Sequence, residues 1–225
     1  MLNNELFTGV ASFIFENIKN ELPPQIVYHN FNHTEEVVNA ALEIGEAEKI
    51  SDDELEILLL AAWFHDIGFI KGFENHEESS KKIATTYLKG IKYSEKLISK
   101  VCELIEATKI DFEPTTKLEK IICDADLFHL GTENFKEKSN LLRSEWESCF
   151  QQYFTDIEWV EQNESFLTNH KYFTNYAYNK LQHQKNQNWL KTKNELKKAI
   201  SKQEENDAKQ KLKKADLKRK KEKDE

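Results

Sequence analysis

The 225 residues carry 32 Lys and Arg against 40 Asp and Glu, for a net charge of −8, and include only six Gly and three Pro. A chain of this length can bury the core of one ordinary domain, and few turn residues with apolar residues at helical spacing predict an all-α fold. No run of about 18 apolar residues and no basic-then-apolar leader occurs, so we expect no membrane span, no signal peptide and a soluble, cytoplasmic protein.

Cys102, Cys123 and Cys149 are odd in number and form no CxxC pair, which argues against a disulfide framework or a thiolate zinc site; reduced, packed thiols are expected. The charge is uneven. Lys191 to Glu225 holds 14 basic and 8 acidic residues, so this segment is +6 and the body −14. An acidic body argues against general nucleic-acid binding, and a phosphorylated substrate would need a metal to offset its field.

In chain order, residues 4–20 place Leu6, Phe7, Val10, Phe13, Ile14 and Ile18 at helical spacing, and Pro23-Pro24 ends this first helix. A second helix is predicted from about Asn32 to Lys49, with Val37, Val38, Ala41 and Ile44 inward and His33 in its first turn; His29 precedes His33 by four residues. Ser51-Asp52-Asp53-Glu54 reads as a capping box, which starts the helix that delivers His65 and Asp66. These two stand inside the apolar run AAWFHDIGF, residues 61–69. A buried carboxylate beside a buried imidazole is costly unless paired; a metal ion is one partner, and the alternative is a core histidine bonded to its surroundings. If both lie on the helix they point about 100° apart, so one ion would reach them only from the flank between.

Asn75-His76-Glu77-Glu78 opens a helix to about Leu88, and a further helix is expected from Ser94 to Lys109. After a loop around Pro114, Lys117 to His129 reads as helical, with Asp124-Ala125-Asp126 following a buried Ile-Ile-Cys run. Residues 134–153 and 157–190 read as two aromatic-rich helices whose rings, among them Trp146, Phe150, Tyr153, Phe154, Trp159, Phe166, Tyr172, Phe173, Tyr176, Tyr178 and Trp189, are expected to pack on the preceding ones. Beyond Lys191 apolar residues thin out, which suggests a solvated helix or a frayed tail. The expected division is a domain over 1–190 and a charged tail over 191–225.

His33, His65, Asp66 and a carboxylate of Asp124 or Asp126 make a His, His-Asp, Asp series spread over three predicted helices. Two imidazoles and two carboxylates suit Mn, Mg, Co, Ni, Fe or Zn and leave positions open for water and substrate. The segments YHNFNH, AAWFHDIGF and CDADLFHLG, in this order on a helical pattern, resemble the HD superfamily of metal-dependent phosphohydrolases. Over about residues 1–190, these segments with NHEESS, LIEAT and EWVEQNESFLTNHKYFT are similar to bacterial predicted HD phosphohydrolases, including Pycsar-type cyclic-nucleotide-responsive effectors. Many of those have a membrane span where this chain has its charged tail, a departure that argues against a membrane-damaging role.

The resemblance implies an HD-type helical bundle with His33, His65, Asp66 and Asp126 as metal ligands, Asp124 lying outside the ligand set or capping a helix. One ion is favoured, because Lys109-Ile110-Asp111 offers no extra histidine; a second ion would use His76. The implied activity is hydrolysis of a nucleotide or other small phosphoester by metal-activated water. Asp66 then orients the water, Glu77 is a candidate base and His29 contacts substrate or aids the leaving group. Lys71 and Lys109 are candidate phosphate partners, His129 a packed residue and His170 a structural or lid residue. The alternative is a nucleotide-binding sensor, possibly of cyclic nucleotides, with little catalysis; a third reading is a structural protein whose tail docks a partner.

Overall fold

The computed structural model of the protein describes residues 4–221, with side chains as far as residue 214. The described residues form nine α-helices and two 3-10 turns and contain no strand. The helices are α1 (Asn4–Glu21), α2 (Phe31–Ala47), α3 (Asp52–Phe64), α4 (His76–Gly90), α5 (Glu95–Glu106), α6 (Lys117–Asp126), α7 (Phe135–Phe150), α8 (Asp156–Asn169) and α9 (Asn175–Lys221). The 3-10 turns, Ile67–Lys71 and Phe128–Gly131, follow α3 and α6. The end of the charged tail, residues 222–225, lies outside the described residues.

The bundle is built around α3, in which every residue from Ile57 to Phe64 is buried. A helix that is apolar on all sides must be covered on all sides, and α1, α2, α4, α5 and α6 pack against it. Its start is local chemistry: the Ser51 hydroxyl accepts from Glu54 N at 3.3 Å while the Glu54 carboxylate accepts from Ser51 N at 2.9 Å. No described helix is long and apolar enough to cross a membrane.

Several boundaries differ from expectation. Helix α3 stops at Phe64, so His65 and Asp66 are not two positions of one continuing helix. His65 keeps helical angles as the cap (φ −54°, ψ −42°), Asp66 swings to φ −109°, ψ 0°, and the tighter 3-10 turn follows. Gly68 in that turn lies so close to α4 that a Cβ would stand 1.9 Å from the His76 carbonyl oxygen and 2.7 Å from Ser80 N. Only glycine allows this approach, which sets His76 beside Asp66. The helix expected over 117–129 gives way to the second 3-10 turn after Asp126, and α7 ends at Phe150 because Gln151 takes a left-handed conformation (φ 51°).

The helix expected over 157–190 is broken at residues 170–174. The buried Asp124 carboxylate accepts hydrogen bonds from Phe173 N, Thr174 N and Thr174 Oγ1 at 2.7–3.2 Å. A side chain from α6 thus satisfies donors at the start of α9 that a continuous helix would have bonded internally. The aromatics divide: Trp159 and Tyr172 are buried, whereas Phe150, Tyr153, Phe173 and Tyr178 are exposed. Helix α9 stays packed through Thr192, with Asn188 Nδ2 donating to the carbonyls of Leu130 (2.9 Å) and Thr132 (2.8 Å). From Ser201 to Lys214 every residue is exposed.

The α8–α9 corner is pinned by Lys185, a buried lysine whose ammonium donates to the His170 carbonyl at the end of α8 and lies 3.1 Å from His170 Nδ1. A cation suits a helix C-terminus. Burial, then the neighbouring Lys185 and His129, pushes His170 down to about 3. The unfolded chain therefore binds a proton below pH 6.5 that the native state refuses. Stability present above that pH is lost as the pH falls from 6.5 toward 3, by about 2 kcal/mol at pH 5 from this residue alone. Urea unfolding at pH 7 and pH 5 should show a stability drop about 2 kcal/mol smaller in His170→Asn, whose amide oxygen can still accept from Lys185. Equal drops in the two proteins would rule out a neutral buried imidazole.

Candidate metal centre

Three segments converge where α3 ends. His33 lies in the first turn of α2, which Asn30 opens by accepting from Asn32 N and His33 N. His65 and Asp66 occupy the junction between α3 and the 3-10 turn, and Asp126 is the last residue of α6. His65 Nε2 stands 3.0 Å from Asp66 Oδ2 and 3.6 Å from Asp126 Oδ1; His33 Nε2 is 3.3 Å from each of the same oxygens. Donor atoms roughly 2.1 Å from one ion stand about 3.0–3.4 Å apart around it, so these separations fit a shared cation.

The bonding of these atoms leads to the same place. His33 Nε2, His65 Nε2 and Asp66 Oδ2 are buried without a hydrogen-bond partner among the described residues, a costly state unless an ion serves all three. The Ala62 carbonyl can only accept, so His65 Nδ1 carries the proton and donates to it at 2.8 Å. In the neutral ring its Nε2 then holds the lone pair, the form a metal ligand needs. Burial alone would lower His33 and His65, but the surrounding Asp66 and Asp126 outweigh it and hold both above the ordinary histidine value. Burial alone would raise the two carboxyls, and the histidines hold both below the usual carboxylate range.

A second cluster flanks the first. Ligand atoms of His29, His33 and Asp66 lie within 4.8 Å of one another, as do those of His33, His65 and Asp126. Glu145, fully buried in the middle of α7, accepts from Tyr28 N (2.8 Å) and His29 N (3.1 Å) through one oxygen and pairs with His29 Nδ1 through the other. The His29 ring stacks on Phe69 with centroids 4.3 Å apart, and His76 lies against Phe69 as well, at 3.9 Å. His76 Nδ1 donates to the Phe73 carbonyl at 3.2 Å, while its Nε2 faces Asp66 Oδ1 at 3.6 Å and Glu77 Oε1 at 3.5 Å.

His33, His65, Asp66 and Asp126 thus meet at one point, with His29, His76 and Glu77 alongside. Asp124 does not join them, because its oxygens are committed to Phe173 and Thr174. Lys71 and Lys109 do not either: Lys71 is turned to Glu21 at 2.8 Å and Lys109 pairs with Glu106, both at the exposed surface. His129 is packed against the site, with the Tyr28 hydroxyl 3.2 Å from its Nδ1, and burial followed by the nearby His33 pushes it down to about 4. His170 lies away from the ligands, in the α8–α9 corner. Glu145 is the residue that sequence reading passed over. Its signal was an acid in line with Leu142 and Cys149 on the inward stripe of a helix otherwise rich in charge.

A family model described as the HD domain matches residues 30–131, a span that contains His33, His65, Asp66 and Asp126. No curated protein matches the chain. Among solved structures, a predicted HD superfamily hydrolase from an uncultured Thermotogales bacterium is similar at 22% identity and a TM-score of 0.50, over 72% of this chain and 86% of that one. A protein from Lactobacillus plantarum is similar at 12% identity and a TM-score of 0.63, over 90% of this chain and 98% of its own. At these identities the likenesses speak for the fold, a helical bundle.

Proposed function

We propose, from the match of residues 30–131 to the HD-domain family model, that the protein is a divalent-metal-dependent phosphohydrolase acting on a small phosphoester such as a nucleotide. The observation that carries the reading is the trio of buried, unbonded atoms, His33 Nε2, His65 Nε2 and Asp66 Oδ2, with Asp126 Oδ1 beside them. These four residues would hold one ion. A divalent ion there would polarise a phosphoryl oxygen and lower the pKa of water.

The remaining roles fall to the chain's own side chains. Asp66 has a second oxygen, Oδ1, on the side of His76, where it can orient the attacking water. His29, with Nδ1 engaged by Glu145 and a ring nitrogen within 4.8 Å of ligand atoms of His33 and Asp66, can exchange a proton with a group bound at the site. Glu77 stands behind His76 as a further acceptor. Fixing nucleophile and phosphoryl group in line is the positional share of the catalysis.

The test is hydrolysis of generic phosphoesters by chelator-stripped protein resupplied with Mn, Co, Ni or Mg. Stripping should lower the rate by at least about 10²-fold, and one of the ions should restore it. An undiminished rate in excess chelator would overturn the proposal.

A further inference from the structure

A cleft of about 300 Å³ opens onto the ligand cluster between α2, the end of α6 and the start of α7, with His33 and Asp126 among its lining residues. Asp126 is the most accessible of the four proposed ligands, its side chain 22% exposed against 7% or less for the others. A phosphoryl group held at the cluster would therefore direct the rest of its molecule into this cleft.

The walls indicate what that remainder is. Glu36 and Glu43, two turns apart on α2, both line the cleft, and Lys138 is the lysine among the lining residues. Lys138 is committed: its ammonium donates to both oxygens of Glu36, at 2.7 and 2.6 Å. Glu43 accepts from Lys180 at 2.6 Å and from the Tyr176 hydroxyl at 3.0 Å. A second phosphate in the cleft would find no uncommitted cation on its lining; to take Lys138 it would have to break the pair with Glu36 and leave that carboxylate unpaired beside it. The uncharged hydrogen-bonding groups, Asn39, Thr132 and Asn134, instead match hydroxyls. The volume is about that of ten water molecules.

On the hydrolase reading, we propose that the substrate is a phosphomonoester with a single phosphate on a small, uncharged, hydroxyl-bearing alcohol, of sugar or nucleoside type, and that the α2 face rejects di- and triphosphates. In the reaction a water oxygen bonds to phosphorus, the ester P–O bond breaks, and a proton from the water ends on the leaving alkoxide, giving inorganic phosphate and the alcohol.

The experiment compares kcat/KM of the full chain with Mn²⁺ on ribose 5-phosphate and a nucleoside 5′-monophosphate against the matching di- and triphosphates and a cyclic dinucleotide. The monophosphates should lead by about 100-fold or more. Preference for a triphosphate or the diester would overturn the cleft assignment while leaving hydrolysis standing. Glu36→Lys, at a residue with 52% of its side chain exposed, adds a cation and should raise the diphosphate-to-monophosphate ratio about tenfold at unchanged Mn²⁺ content; an unchanged ratio counts against the proposal. If nothing is hydrolysed, calorimetric binding of the same ligands decides separately. Tighter binding of the monophosphates keeps the assignment and sinks the hydrolase, whereas equal or tighter triphosphate binding sinks the assignment.

Discussion

Asp66→Ala should lower kcat/KM by at least about 10³-fold, roughly 4 kcal/mol of transition-state stabilisation, and should leave the protein without its ion. One oxygen of Asp66 is 3.0 Å from His65 Nε2 and 3.3 Å from His33 Nε2, and it has no hydrogen-bond partner among the described residues. Removing it takes away one of the two negative charges, with Asp126, that make a pair of neutral imidazoles attractive to a dication. It also takes away Oδ1, the group placed to orient water. The helices should survive, since α3 is held by apolar contacts on every side, and circular dichroism would show this. Metal content measured on the purified variant is the deciding quantity. Wild-type content in both Asp66→Ala and His65→Ala would refute the centre.

Glu145→Gln should lower kcat by about 10- to 100-fold, up to roughly 2.7 kcal/mol, with KM within about twofold of wild type. The glutamine keeps the volume, and its amide oxygen can still accept from Tyr28 N and His29 N. Its amide nitrogen then faces His29 Nδ1 as a donor, which favours the tautomer with the proton on Nε2 and withdraws the lone pair from the site. Nitrogen NMR of the ring reads the tautomer whether or not the protein is active, so the positional claim has a check independent of turnover. Glu145→Leu leaves Tyr28 N, His29 N and the ring donor unpaired and should cost roughly 3 kcal/mol or more of stability. A Glu145→Gln protein with the wild-type tautomer and rate would show that the carboxylate merely fills space.

Local signals were legible. The Ser51–Glu54 capping box stands as read, and Thr116–Glu119 and Thr155–Glu158 are two further boxes of the same pattern that open α6 and α8. The break at residues 170–174 was not legible, because no proline or glycine marks it. Its cause is Asp124, about 50 residues earlier in the chain. Glu145 was hidden for a related reason. An acid among Lys138, Arg143 and Glu147 reads as a solvated helix face, and only the packing of α7 over residues 28 and 29 buries it and hands it three donors. Lys71 shows the converse, since proximity along the chain to His65 and Asp66 says nothing of which glutamate a flexible ammonium will meet.

The order of residues along the chain was enough to specify helices throughout, a buried central one, and the side chains able to bind a cation, because periodicity and capping act over a few residues. Which carboxylate of the Asp124-Ala125-Asp126 pair faces the histidines, which acid holds His29, and how the charges on the cleft wall are matched were decided by tertiary packing. Each depends on groups brought together from distant helices, whose separation is set by buried apolar faces rather than by any neighbour in sequence.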